Sequence, residues 1–241
     1  MKTGRDFCLI NITKTDIIFK EFLFMKKLTE IANIALTDKG TAKDEAHAYT
    51  EFYNDIFEQY KNTGKKINIL EIGVDTGASL KMFNMFFDYN CEIYALDIDL
   101  SKNTYQAENV HLYRVNQNNK QEIENFLANI NNIKFDIILD DGSHQLEHQM
   151  HSLLYLYKSL SETGIYILED LHTYKWGRII DSPLYYLSFY GDNSFLTKEE
   201  NYELQNAIQE VTIHSRKNSR IPYCIPYCGR SITSIIKFNH N

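Results

Sequence analysis

The chain has little proline, cysteine or tryptophan: three, four and one residue among 241. No Pro/Gly/Ser-rich linker divides it, so one α/β domain with additions, residues 1–241, is expected rather than two full domains. The four cysteines (Cys8, Cys91, Cys224 and Cys228) are too few and too scattered for a disulfide scaffold, and free thiols are the default. Positive charge is also in deficit, with a formal net charge of -7. An acidic chain grips a phosphate backbone poorly, so nucleic acid is not expected as a partner. No apolar run approaches the roughly 20 residues of a membrane helix. Asp6, Lys14 and Asp16 interrupt any secretory apolar core near the start. A cytoplasmic location and no membrane partner are therefore expected. Met25, followed by KKLTEIANI, is a second sensible start, which would make residues 1–24 an extension.

What the chain does have is apolar residues, 44% of the total, enough for a sizeable core. They fall in alternating helical and strand-like runs. Residues 20–36 show helical spacing (Phe22, Met25, Leu28, Ile31, Ile34, Leu36), and Asp38 to Thr41 reads as a turn. Residues 44–60 form a second helical pattern rich in Tyr and Phe. Its aromatic face either packs on the core or, through His47, Tyr49 and Tyr53, lines a substrate mouth; Tyr suits sugars because it offers an apolar face and a polar handle. Strands are expected at 67–72, 91–97, 110–115, 135–139 and 165–168, with helices between them. That alternation predicts a Rossmann-like, doubly wound parallel sheet. Strands at 210–215 and 231–238, joined by a loop, predict an antiparallel C-terminal hairpin. Helices are expected over 120–130, 145–160 and 198–209.

Phe135 to His148, FDIILDDGSHQLEH, is the centre of the reading. A buried strand ends on Asp140 and Asp141, a glycine turn follows at Gly142, and His144 precedes a helix. One helix and one strand later, GIYILED ends on Glu169 and Asp170. A parallel sheet delivers its strand ends to one edge, where ligands bind. Four carboxylates and a histidine would then share a crevice. Close carboxylates repel and raise one another's pKa, so a divalent cation with oxygen ligands is the simplest compensation.

The first strand runs into Gly73-Val74-Asp75-Thr76-Gly77 and then a helix. Glycines there let a ligand approach the backbone, and the helix start offers free N–H groups. The spacing is E-x-G-x-x-x-G, which is neither the dinucleotide fingerprint nor a phosphate loop with its lysine. Asp97 closes the second strand, placed to accept hydrogen bonds from ribose hydroxyls; the alternative is that Asp97 or Asp99 caps the next turn.

Two motifs are set aside. His144 to His148 spells H-x-x-E-H, an inverted zinc-protease pattern, but a protease would leave the glycine loop and Asp97 without a purpose. Cys224 and Cys228 begin a radical-cluster spacing whose third position is Ser231, and two cysteines cannot hold such a cluster. Trp176, with Tyr185, Tyr186 and Tyr190, either packs the core or forms a lid over a sugar.

E-x-G-x-x-x-G, an acid closing the second strand and Asp closing the fourth resemble class I S-adenosylmethionine (SAM) methyltransferases. DDGSH (140–144) with LEDLHT (168–173), and TDKG with HAYTEFY (37–53), resemble the metal-dependent sugar O-methyltransferases of macrolide tailoring and their relatives in polysaccharide clusters. The resemblance covers roughly residues 30–175. It implies a seven-stranded sheet, an N-terminal helical cap within 1–62, a SAM and metal core over 63–170, and a lid and hairpin over 171–241. It implies that Asp141, Glu169 and Asp170 are metal ligands and that His144 is the general base. It places Gly73, Gly77 and Asp97 at the SAM site with Glu71 supporting the loop, and Asn116-Gln117 near the adenine. Relatives often have Gly-Asp before that glutamine, where Val115-Asn116 stands here. Asp140 falls near the methionine part of SAM, or caps a turn. An oligomer is also implied.

The expected reaction is methyl transfer from SAM to a sugar hydroxyl, on a nucleotide-activated sugar or a glycoconjugate, in polysaccharide or natural-product biosynthesis. Mg²⁺ or Mn²⁺ chelating neighbouring oxygens would lower the hydroxyl's pKa, and His144 would take the proton. A catechol-type small-molecule O-methyltransferase and a non-catalytic SAM-fold binding protein are the competing readings.

Overall fold

Short runs rich in isoleucine and leucine, each closed by a turn, build the centre of the molecule. The computed structural model describes residues 27–41, 47–171, 195–217 and 230–239. The expectations for residues 1–24, for Trp176, Tyr185, Tyr186 and Tyr190, and for Cys8, Cys224 and Cys228 lie outside the described residues.

The strands are β1 (Ile67–Ile72), β2 (Cys91–Asp97), β3 (Val110–Arg114), β4 (Phe135–Asp140), β5 (Leu160–Leu168), β6 (Ile208–Lys217) and β7 (Arg230–Phe238). They form one sheet in the order β3-β2-β1-β4-β5-β7-β6. β1 to β5 are parallel, while β7 lies antiparallel to both β5 and β6. The described helices are α1 (Leu28–Ala35), α2 (Thr50–Asn62), α3 (Ala78–Phe86), α4 (Lys120–Asn129), α5 (Leu146–Leu156) and α6 (Lys198–Ala207). None is long and apolar enough to cross a membrane.

Successive strand residues face opposite sides of a sheet, and here both sides are apolar. Leu70, Ile138 and Tyr166 pack with Ile123 and Phe126 of α4 and with Met150 and Leu153 of α5. Ile69, Ile137 and Ile167 pack on the other face with Leu28 and Ile31 of α1, Tyr53 and Phe57 of α2, and Phe83 and Phe86 of α3. Strands buried on both faces read as continuous apolar runs, as these do. Strand order reverses between β1 and β4, and ligands bind at such a switch point.

Several boundaries differ from expectation for local reasons. α2 begins at Thr50 rather than near 44. Before it, the His47 N–H donates to Asp38 O, Ala48 to Gly40 O and Thr50 to Lys39 O, which ties 47–50 to the preceding turn, and Ala48 is left-handed at φ 56°. α1 ends at Ala35, and Leu36, at φ 64°, caps it in the left-handed region. Leu36 at this cap and Ile34 within α1 are both exposed. α5 ends at Leu156, and β5 starts at Leu160 rather than Ile165, because Leu160 pairs with Phe135.

Candidate active site

The loop after β1 is shaped by its own contacts. Gly73 has φ +91°, and a Cβ there would lie 2.1 Å from the Asp141 carbonyl oxygen, so only glycine lets the first and fourth strand ends meet. Gly77, at φ +80°, starts α3; a Cβ would meet Asn103 and Tyr105. Asp97 reaches back to this loop. Its Oδ2 accepts from the Val74 N–H at 2.7 Å and its Oδ1 from the Asp99 N–H at 2.9 Å. Oδ2 also accepts from the Asp75 N–H at 3.4 Å, which leaves Oδ1 with capacity for a further bond. Glu71 is fully buried and accepts from Ser79 Oγ at 2.8 Å. Burial, partly offset by the Lys39 charge, pushes its carboxyl up to about 8, so it is a neutral acid at neutral pH.

The ends of β4 and β5 carry the acids. Glu169 donates its N–H to Asp140 O, and Asp141 donates to Ile72 O, which fixes these backbones together. Asp140 turns under the sheet edge. Ser152 Oγ, Gln117 Nε2 (3.2 Å) and Tyr166 OH (3.3 Å) all donate to it, and burial pushes its carboxyl up to about 6. Gln117 uses its other end to accept from the Ser143 N–H at 2.8 Å. It therefore braces the turn that carries His144.

Asp141, His144 and Asp170 each present a donor atom, all within 4.8 Å of one another. His144 Nε2 is 3.5 Å from Asp170 Oδ2. His144 and Asp170 are left-handed, at φ 56° and 53°. Such backbones cost roughly 1–3 kcal/mol each and persist where surrounding contacts over-determine them. Two hard carboxylates beside an imidazole fit a small divalent cation.

The N-terminal cap supplies further groups, of which the sequence reading missed Lys39. Lys39 Nζ lies 2.5 Å from Asp141 Oδ2 and 2.6 Å from Glu169 Oε2, fully enclosed. Burial alone would lower its pKa, but Asp141 and Glu169 outweigh that and hold it well above the ordinary lysine value. Burial also raises both carboxyls, with Lys39 offsetting part of the effect. The cluster as a whole is short of positive charge. Tyr53 OH donates to Glu169 Oε1 at 2.9 Å, and Tyr49 OH to Asp170 Oδ1 at 2.6 Å. Both tyrosines are buried rather than at a mouth. His47 stacks on Tyr49, with Nδ1 3.7 Å from Asp170 Oδ1.

Two adjoining cavities open at this edge. A polar cleft of 530 Å³ is lined by Gly73, Asp97, Lys39, Asp141, His144 and Asp170, among others. A slot of 320 Å³ is lined by Ile72, Leu96, Ile98 and Val115 together with Asn116 and Gln117. Gly73, Asp97, Ile98 and Gly142 line both. An apolar slot for a flat base joined to a polar cleft fits a nucleoside carrying a charged tail.

The fold is similar to that of MycE methyltransferase from the mycinamycin biosynthetic pathway, solved with Mg, SAH and mycinamycin VI. The TM-score is 0.63 at 22% identity, over 88% of this chain and 54% of that one. A methyltransferase-domain family profile matches residues 70–171. Residues 70–171 are thus similar to a methyltransferase domain, on a fold like that of MycE. It is 31% identical over 156 residues to demethylmacrocin O-methyltransferase of Streptomyces fradiae, covering 62% of this chain and 37% of that protein. It is 29% identical over 153 residues to the 8-demethyl-8-alpha-L-rhamnosyl tetracenomycin-C 2'-O-methyltransferase of Streptomyces olivaceus, covering 61% and 39%. The chain thus spans little more than a third of the length of these relatives.

At this edge the expected site residues fall into several groups. Gly73, Asp97, Asp141, His144 and Asp170 line the cleft and Gln117 the slot. Glu71, Asp140 and Glu169 are buried beneath, engaged by Ser79, by Ser152 and Gln117, and by Lys39 and Tyr53 respectively. Gly77 serves the turn, and His47 and Tyr49 stand behind Asp170. Lys39 was legible only as part of a polar turn. The charge imbalance at the strand ends was the signal for a cation, and a lysine is one way of meeting it.

Proposed function

We propose that the chain is a SAM-dependent O-methyltransferase that uses a divalent cation to methylate a sugar hydroxyl, on a nucleotide-activated sugar or a glycoconjugate. The observation that carries the reading is the convergence of Asp141, His144 and Asp170 on the cleft that Gly73 and Asp97 also line. The relatives' names support the sugar: one is an O-methyltransferase of a rhamnosyl tetracenomycin.

In this reading Ile72, Leu96, Ile98 and Val115 would sandwich the adenine, and Asp97 Oδ1 would accept from a ribose hydroxyl. When bound, SAM would supply a methyl on an electron-poor sulfonium, and a cation held by Asp141 and Asp170, with Glu169 by resemblance, would lower the pKa of a neighbouring hydroxyl. His144 would take the hydroxyl proton on Nε2, the atom facing Asp170. Asp170, oriented by Tyr49, would stabilise the imidazolium that forms. Fixing the acceptor at the cleft wall supplies the proximity that displacement needs.

The test is incubation with SAM and a panel of nucleotide sugars and catechols, with mass detection of a one-methyl gain. Gain on a sugar is expected. Gain on catechols alone would favour the catechol reading. Absence of SAM binding by calorimetry would favour a non-catalytic scaffold.

A further inference from the structure

Lys39 is a buried charged group of the site to which methyl transfer assigns no task. Its ammonium bridges carboxylates from two strand ends, Asp141 and Glu169, at 2.5 and 2.6 Å. The turn that carries it is itself anchored. Lys39 O accepts from the Thr50 N–H at 3.1 Å and from Thr50 Oγ1 at 3.0 Å, and the flanking Asp38 and Gly40 carbonyls accept from His47 and Ala48. The lysine is held in place rather than draped there.

We propose that Lys39 is a resident counter-cation that fills the gap between Asp141 and Glu169 and must withdraw before a divalent cation can reach both carboxylates. This rests on the metal role proposed above and adds how the site is held when no metal is bound. Mg²⁺ binds oxygen at roughly 2.0–2.1 Å. An ion contacting both Asp141 Oδ2 and Glu169 Oε2 would need the space that Nζ fills. Two positive centres cannot share it, and the buried carboxylates need one of them. Asp141, Glu169 and Asp170 together outnumber the single lysine, so a doubly charged ion is favoured as its replacement. Withdrawal would take the side chain toward the 530 Å³ cleft, which Lys39 already lines, while the turn at 37–40 stays anchored.

The experiment is calorimetric titration of Mn²⁺ into metal-stripped wild-type and Lys39→Met protein, together with lysine acetylation of the wild type mapped by peptide mass spectrometry. Methionine keeps the stem and removes the charge. The variant should bind Mn²⁺ about tenfold more tightly; loss of a merely structural residue would weaken binding instead. Binding by the variant alone would support the same conclusion. Equal or weaker binding by the variant, with the wild type binding, would overturn the proposal and leave the metal reading standing. No binding by either protein would overturn both. The acetylation arm needs no variant: Lys39 should be protected without metal and become reactive at saturating Mn²⁺. Protection unchanged by bound Mn²⁺ would overturn the proposal.

Discussion

The phenol of Tyr49 donates a 2.6 Å hydrogen bond to Asp170 Oδ1, across 121 residues of sequence. Lys39 and Tyr53 do the same for Glu169, across 130 and 116 residues. Three cap residues therefore bond to the acids at the end of β5, and the cap and this edge of the sheet pack together.

Removing the Tyr49 donor should loosen the acid it holds. Tyr49→Phe leaves Asp170 without its phenol, and partners of this kind are worth about 10–100-fold in metal affinity. The Mg²⁺ concentration for half-maximal activity should rise by at least the lower figure. Urea unfolding should show a loss of about 1 kcal/mol. An unchanged Mg²⁺ activation curve would contradict the role given to Tyr49.

Asp97 has two tasks, bracing the loop through Val74 and lining both cavities. Asp97→Ala should weaken SAM binding by about tenfold or more, roughly 1.4 kcal/mol. Mn²⁺ affinity should stay at the wild-type value, because Asp97 is not part of the acidic cluster. Calorimetry with each ligand separates the two effects.

His144 is assigned the proton. His144→Ala should lower the methyl-transfer rate by about 10²–10⁴-fold, with SAM affinity retained. A variant that loses SAM binding along with turnover would mean that His144 shapes the pocket instead.

Glu71 makes stability depend on pH in a defined direction. Its carboxyl is raised to about 8 in the folded state by burial, against about 4.3 for an exposed glutamate. Between those values the folded protein holds a proton that the unfolded chain releases. The group's contribution is complete below the unfolded pKa and is lost as pH rises through the folded one, at up to about 1.4 kcal/mol per pH unit. Glu71→Gln removes the titration. The stability of Glu71→Gln minus that of wild type, from denaturant unfolding, should grow from pH 5 to pH 8 and then level off. A difference that shrinks over that range would contradict the neutral-acid assignment.

Much of this was legible in the chain. The run from Phe135 to Asp141 and the run ending at Asp170 read as buried strands closing on acids, because strand burial and terminal charge are local patterns. The glycine loop and the C-terminal hairpin were legible for the same reason. The start of α2 was not: helical spacing from residue 44 carries no sign that the backbone of 47–50 is bonded to the turn at 38–40. Lys39 was missed because its partners lie 102 and 130 residues away, and only the packing of the cap over the sheet edge joins them. Tyr49 and Tyr53 look alike in sequence whether they face a sugar or a buried carboxylate, and burial decides between the two.

Acidic strand ends that hold a cation for alkylation of an alcohol are the central claim. The direct measurement is methyl transfer to the preferred sugar acceptor, followed by mass spectrometry, before chelation, after exhaustive EDTA treatment, and after Mg²⁺ or Mn²⁺ is restored. Transfer should stop on chelation and return with the metal. Transfer that continues undiminished in the stripped protein would contradict the claim.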